Sequence, residues 1–424
     1  MTNFDVIEAY TEDFTKWAYR NSRGTAKITN NTIVITNVVE TNNIVEDDNE
    51  PYSDLTIRVT GVTENKYLIV RQGRGKPEIH IKKDGVYTFK DNNLYFGFGI
   101  SVIGECNITI TQLPTSILKD FSGNGNHAYL YGGKGKLNSG MGVYQQDFSK
   151  LIISRVDKKQ DSFSFTVSGS GGSYLAYMQL GNWNNKAFKI LANINAKSDY
   201  LYLRFRNSTD AVITSVMLKN GENIIPAQNI EGATKAVFEY SLKEGESITI
   251  TQIPDYPDQL CYDGKMYAVC YGFPILTDYT VMAERTILDN SDIADWAFIA
   301  KRDYPAINGA FTFEKDIDDT SDNLRTISFG RTSVIYNPIK ERSISYQTKN
   351  KYNGQDIIVG NVDDVDFLLI GAGILDTNLN LVKEKMRVAH GNILLFNRSL
   401  TEYEISWIKN NMMCSKPQEP DIDL

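Results

Sequence analysis

A chain of 424 residues is too long for a single sandwich-sized core and suits two to four domains at ~100–200 residues each. Hydrophobic content of 42%, aromatic content of 11% and charged content of 23% are those of a folded globular protein and exclude disorder on the scale of a domain. A net charge of −8 leaves no basic footprint for phosphates, so nucleic acid is a poor partner and anionic membrane surfaces are disfavoured.

The chain opens MTNFDVIEAYTEDF, rich in acids and without the apolar centre of a signal peptide, and no later run approaches the ~18 apolar residues of a membrane span. The expectation is a protein made in the cytoplasm, with no membrane insertion. Residues 1–13 carry Phe4, Ile7 and Tyr10 among acids and belong to no motif. An apolar set without a core of its own awaits a partner surface, which makes these three candidate attachment residues.

From residue 25 onward short β-branched runs alternate with Asn, Gly and Asp, as in Ile33-Val34-Ile35-Thr36 and Leu55-Thr56-Ile57-Arg58-Val59. That pattern predicts an all-β chain of sandwiches. One internal repeat stands out: CNITITQLP, ending at Pro114, returns as SITITQIP, ending at Pro254. Each copy is preceded by a similar turn, KKDG at Gly85 and LKNG at Gly221, and RVTG at Gly61 is matched to TVSG at Gly169, which puts an insertion in the second copy around GNWNNKAFKI. The repeats are expected over 14–116 and 151–255, with matching closing strands.

A third pattern is split around the second repeat. LKDFSGNGNHAYLYGG (Leu118 to Gly133) follows the first copy, and LCYDGKMYAVCYGFPILTDYTV (Leu260 to Val281) follows the second. The chain ends with ILLFNRSLTEYEI (Ile393 to Ile405), where Thr401 and Glu404 form a capping box, Leu400 staples against Ile405, and Ile405, Ile408 and Met412 share one helical face. In content and order these segments resemble the laminin G-like and concanavalin A-like lectin domains, in the arrangement found in accessory or fibre proteins of phages of Bacteroides-type bacteria. The resemblance implies tandem jelly-roll-type sandwiches with a concanavalin A-like sandwich over 117–150 and 256–414, interrupted by the second repeat, and a flexible tail at 415–424. It further implies a virion protein (head fibre, capsid decoration or tail fibre) that is assembled with other virion proteins as a homotrimer, meets a host-surface or mucosal glycan, and is not an enzyme. A bacterial surface carbohydrate-binding protein and a glycoside hydrolase are the alternatives.

The motif residues have two readings each. Asp120 and the run Ser122–Asn126 suit a tight turn into a strand; the alternative is that Asp120 or Asn126 ligates calcium. Otherwise no cofactor is expected: the four cysteines lack metal spacing and only three histidines exist. His127 and His390 read as packed histidines without a nucleophile nearby. The acids from Glu314 to Asp319 include a spacing that a glycosidase pair would use, but lack the terminal glutamate of retaining enzymes on this fold and read as a solvated turn. The run Asp363-Asp364-Val365-Asp366 reads the same way, before a buried strand FLLIGAG. Sugar rings bind exposed aromatic faces, which makes Trp183 in GNWNN and Tyr304 in KRDYP the candidate carbohydrate platforms.

Overall fold

The structure, a computed structural model, describes residues 8–19, 25–38, 45–46, 54–72, 77–90, 98–104, 106–134, 138, 140–154, 157–288, 290, 293, 296–303, 308–315, 324–335, 342–361, 363–376, 381–413 and 422–423. The fold is all-β, with tandem sandwiches and one sandwich interrupted by another. Strict alternation drives it. In Phe188–Asn195, for example, every second residue is buried and every other one exposed, so the strand has one face for a core and one for water.

The two repeats have the same sheet order. Across one sheet the first runs Thr25–Ile28, Thr32–Val38, Cys106–Gln112, Leu55–Thr60, Gly85–Phe89, and the second Lys158–Gln160, Ser164–Ser168, Ser247–Ile253, Phe188–Asn195, Gly221–Ile225. Register agrees as well: Ile110 lies between Ile33 and Val59, and Ile250 between Phe165 and Ala192. The match of Gly61 with Gly169 is corrected. Gly61 follows Leu55–Thr60, whose counterpart is Phe188–Asn195, whereas Gly169 follows the counterpart of Thr32–Val38. The insertion assigned to GNWNN disappears with that match.

Both closing strands carry a buried glutamine that grips the segment entering its sandwich. Gln112 Oε1 accepts from Thr11 Oγ1 and from the Glu12 amide, both at 2.9 Å, while its Nε2 donates to the Glu12 carbonyl at 2.8 Å. Gln252 Oε1 accepts from the amides of Gln145 (3.2 Å) and Gln146 (2.9 Å), and its Nε2 donates to the Gln146 carbonyl at 2.7 Å. Each grip leads into a 3-10 turn, Phe14–Lys16 or Phe148–Lys150, capped by Asp13 or Asp147, which drops a fully buried phenylalanine into the core. The repeats therefore begin before residues 14 and 151, at the gripped segments.

The remaining sandwich is assembled from separated stretches. Its nine-stranded sheet places Ala128–Tyr131 between Ile117–Leu118 and Tyr267–Tyr271, and its seven-stranded sheet places Met141–Val143 beside Asp255–Asp263. Leu130, Ala268, Phe298, Phe311 and Ile370 of one sheet meet Leu260, Tyr262, Val281 and Val388 of the other. Lys301 and Asp363, both with fully buried side chains, form an ion pair at 2.7 Å, and the ammonium also donates to the Val365 carbonyl. Asp363 is thus a buried partner and not a solvated turn residue. The C-terminal helix Glu402–Ile408 has its capping box and packs Ile405 and Ile408 on the outer face of the seven-stranded sheet. Met413 is buried there in place of Met412, because the π turn Lys409–Met413 shifts the register of the last residues. In the segment expected to be a flexible tail, Ile422–Asp423 pairs with Ile117–Leu118.

The outer face of the nine-stranded sheet is a tyrosine surface: the Tyr131 and Tyr267 rings stack at 5.1 Å and the Tyr131 and Tyr271 hydroxyls lie 3.2 Å apart. Arg58 of the first sandwich sits 4.7 Å over the Tyr271 ring. The segment entering the first sandwich crosses this junction. The Glu8 amide donates to the Gly133 carbonyl at 2.9 Å, the Glu8 carboxylate accepts from the Gly132 amide at 2.6 Å and from Tyr10 at 2.5 Å, and the Ala9 carbonyl accepts from the Thr115 amide at 3.0 Å. Tyr10 is therefore corrected from an attachment residue to an internal strap, half-buried against its own chain, while Phe4 and Ile7 lie outside the described residues.

Gln252→Ala leaves two amides and a carbonyl at the entry of the second sandwich without their partner. It is expected to destabilise the protein by about 2–3 kcal/mol, measured by urea unfolding. A change within about 0.5 kcal/mol, the range of ordinary surface substitutions, would show that the grip is dispensable.

Candidate functional site

The strand Tyr200–Arg206 reads YLYLRFR. Leu201, Leu203 and Phe205 are fully buried in the second core, so Tyr200, Tyr202, Arg204 and Arg206 project from the opposite face of the four-stranded sheet. The neighbouring strands extend that face. Glu239 lies between Tyr174 and Tyr202, Val237 between Tyr177 and Arg204, Lys235 beside Arg206, and Met217 beside Tyr202. The bulge at Leu175 lets both Leu175 and Ala176 point into the core, which keeps Tyr174 and Tyr177 on the outer side.

Glu239, only 6% exposed, organises this surface: Arg204 Nη1 reaches Oε2 at 2.6 Å and Arg206 Nε reaches Oε1 at 2.5 Å. A buried carboxylate needs such compensation, and in return it fixes both guanidinium planes. The hydrogen bond to Glu239 also holds the Arg206 pKa above its ordinary value. Arg204 lies 4.7 Å over the Tyr202 ring and Arg206 5.3 Å over Tyr174, while Lys235 stands 5.5 Å from the Tyr174 centroid and 5.9 Å from that of Tyr177. Tyr174 donates to Asp210 at 2.9 Å and Lys235 pairs with the same carboxylate at 2.6 Å. Lys235 first, and then Tyr174, hold the Asp210 carboxyl below its ordinary range.

Tyr174 also borders a depression of about 760 Å³ at the end of the sandwich, lined with Ser168, Ser170, Ser173, Asp157 and Glu244. Ring faces, fixed donors and hydroxyls thus meet on one surface. The first sandwich presents Tyr67 and Arg71 outward at the same four-residue spacing, but there Arg71 pairs with the exposed Glu78 at 2.7 Å and Tyr67 stacks with His80 at 5.5 Å. The buried carboxylate that unites two arginines belongs to the second copy.

The residues singled out from sequence lie elsewhere. Trp183 is corrected: it is 8% exposed and packs edge-on against Phe188 (5.6 Å) and Phe205 (5.5 Å), so it is a core residue and offers no platform. Tyr304 lies outside the described residues. Asp120 is a turn residue, with Oδ1 accepting from the Ser122 amide at 2.8 Å and Oδ2 from the Asn126 amide at 2.9 Å. Asn126 contributes its backbone to that turn, and His127 Nδ1 accepts from the Asp120 amide at 3.0 Å. Among the described residues no group of three His, Cys, Asp or Glu is arranged to hold a metal ion. Glu314 is 7% exposed and ion-paired with Arg302, which also reaches Glu384 at 3.3 Å; it is an ion-pair clamp and not part of a solvated turn, and Asp316 to Asp319 lie outside the described residues.

No known protein family and no curated protein matches this sequence. Among solved structures, the N-terminal CBM22-1-CBM22-2 tandem domain of Paenibacillus barcinonensis Xyn10C is similar over 60% of this chain and 98% of that one, at 11% identity and a TM-score of 0.18. A score that low carries nothing over to this chain.

His390 is 2% exposed, bonded through Nδ1 to the Gly391 carbonyl at 2.9 Å, and its Nε2 has no hydrogen-bond partner among the described residues. Burial pushes its pKa down to about 4. Because the folded value is depressed, the neutral ring's contribution is complete above the unfolded value of ~6.5 and is lost as pH falls toward 4. Acidification through that window is expected to cost about 3 kcal/mol through this residue, and His390→Gln should flatten the dependence. Unfolding curves at pH 7 and pH 4.5 measure it; an equal loss in the variant would assign the acid sensitivity to other groups.

Proposed function

We propose that the protein is a non-enzymatic glycan-binding protein whose binding surface is the outer face of the four-stranded sheet in the second sandwich. The observation that carries this reading is the juxtaposition of Tyr174, Tyr177, Tyr200 and Tyr202 with two arginines fixed by one buried glutamate. Pyranose rings combine apolar C–H faces with dense hydroxyls, and rigid tyrosine surfaces edged by oriented charged donors complement both. Fixing the arginines in advance lowers the ordering cost of binding.

The proposed setting is a virion, where the chain serves as a fibre or capsid accessory protein and forms a homotrimer with other virion proteins nearby. Support for this comes from the motifs Leu118–Gly133, Leu260–Val281 and Ile393–Ile405, which resemble those of phage lectin-like proteins. Presentation of several copies would raise avidity for a repetitive glycan. Of the acids singled out for a hydrolase, Glu314 is ion-paired with Arg302, and Asp316 to Asp319 lie outside the described residues.

On a glycan array, Tyr202→Ala and Tyr177→Ala are each expected to weaken binding about tenfold or more, in keeping with ~1–3 kcal/mol for an aromatic contact, with unchanged unfolding midpoints. Undiminished binding by both variants would remove the sheet face from the function. Mass spectrometry of purified particles tests the setting: peptides of this chain at structural stoichiometry are expected, and their absence would contradict a virion role.

A further inference from the structure

We propose that the glycan recognised on this face is acidic, a uronate-bearing polysaccharide whose carboxylates dock on Arg204 and its neighbours. The inference rests on the sheet face being the glycan surface. Its own support is charge. Arg204, Arg206 and Lys235 share the face with Glu239 and Asp210, and Lys219 stands opposite Tyr200 at its edge on the same outward register as Met217. Positive groups are therefore in excess on one surface of a chain whose net charge is −8. A surplus of that sign in such a setting needs a reason, and a carboxylated ligand supplies one.

The geometry agrees with the charge. Arg204 commits Nη1 to Glu239 and stacks on Tyr202, yet its side chain remains 31% exposed. Its other guanidinium nitrogens hold no hydrogen-bond partner among the described residues. A guanidinium held at one corner and open at the other presents a fork to a planar carboxylate, which a lysine cannot imitate. Arg204 and Arg206 are alternate residues on a strand, so successive outward groups stand ~6.5–7 Å apart. Two ring faces are thereby followed by two cations along the strand, at spacings on the order of a sugar unit. The depression beside Tyr174 carries Asp157 and Glu244 among its serines, so the carboxylate of the ligand is assigned to the arginine end of the face.

The test pairs each acidic glycan with its own neutral form. Oligogalacturonate, oligomannuronate and hyaluronan hexamers are titrated into the full chain beside carboxyl-reduced preparations of the same oligosaccharides, with wild type, Arg204→Gln and Arg204→Lys. Arg206 still pairs with Glu239 in both variants, which guards the fold, and thermal unfolding checks it. At least one acid is expected to bind about tenfold tighter than its reduced form, a difference that Arg204→Gln erases and Arg204→Lys only partly restores. Affinity should also fall with added salt. Equal binding of acid and reduced forms, or binding of neutral glycans alone, overturns the acidic specificity. If Tyr202→Ala abolishes that neutral binding, the sheet face stands as the glycan site. If no glycan of either kind binds, both readings fall. A single-stranded DNA oligonucleotide bound as tightly as any glycan would instead mark a general polyanion surface, and that too overturns the proposal.

Discussion

Two buried glutamines hold the architecture together. Gln112 and Gln252, each 1% exposed, satisfy backbone groups of the segment that enters their sandwich and so fix where each sandwich begins in space. A glutamine can do this because its amide carries both a donor and an acceptor at one end, matching an amide and a carbonyl of a peptide segment. Burial makes the match costly to break. In the first copy the gripped segment continues back to the tyrosine junction with the split sandwich. In the second it departs from Met141–Val143, a strand of that same sandwich. Both repeats are thus tied to the split sandwich through equivalent residues.

The shared framework makes the differences between the copies informative. Closing strands and core registers coincide, and although the second sheet has five strands in the first copy and four in the second, Tyr67–Gln72 and Tyr200–Arg206 hold corresponding places, so their outer faces are comparable. One carries Arg71 paired with an exposed glutamate; the other carries a buried glutamate under two arginines. Desolvating a carboxylate is worthwhile only where its partners are held rigidly, and rigidity of charged donors is what a binding surface needs and a solvated one does not.

The fold was largely legible in the sequence, because alternation and turn residues act locally. TITQ reported the repeat, and the S-L-T-E-Y-E run reported the capped helix. RVTG and TVSG are misleading, since any half-buried strand that ends at a glycine turn tends toward such letters. The better landmark was in plain view: Asp13-Phe14-Thr15-Lys16 and Asp147-Phe148-Ser149-Lys150 form the same capped turn. Asp13 caps that turn, so a boundary after residue 13 cuts through it and separates it from the strap that holds Tyr10. The candidate site was less legible. Trp183 drew notice for its polar neighbours, yet its ring fills the core, because Asn and Gly around a tryptophan describe the backbone turn and not the direction of the side chain. YLYLRFR announced an outward row of Tyr202, Arg204 and Arg206 by its period alone. What the sequence did not reveal was Glu239, which joins them from a distant strand through register.

The central claim is that a surface built on that glutamate does the binding. Hydrogen-exchange mass spectrometry of the full chain, with and without a uronate oligosaccharide at saturation, locates it directly. Protection is expected over Tyr200–Arg206, Val212–Lys219 and Lys235–Glu239, with none over Tyr67–Gln72 and Phe98–Ile103 of the first copy. Protection confined to the split sandwich, or equal in the two copies, would contradict the account.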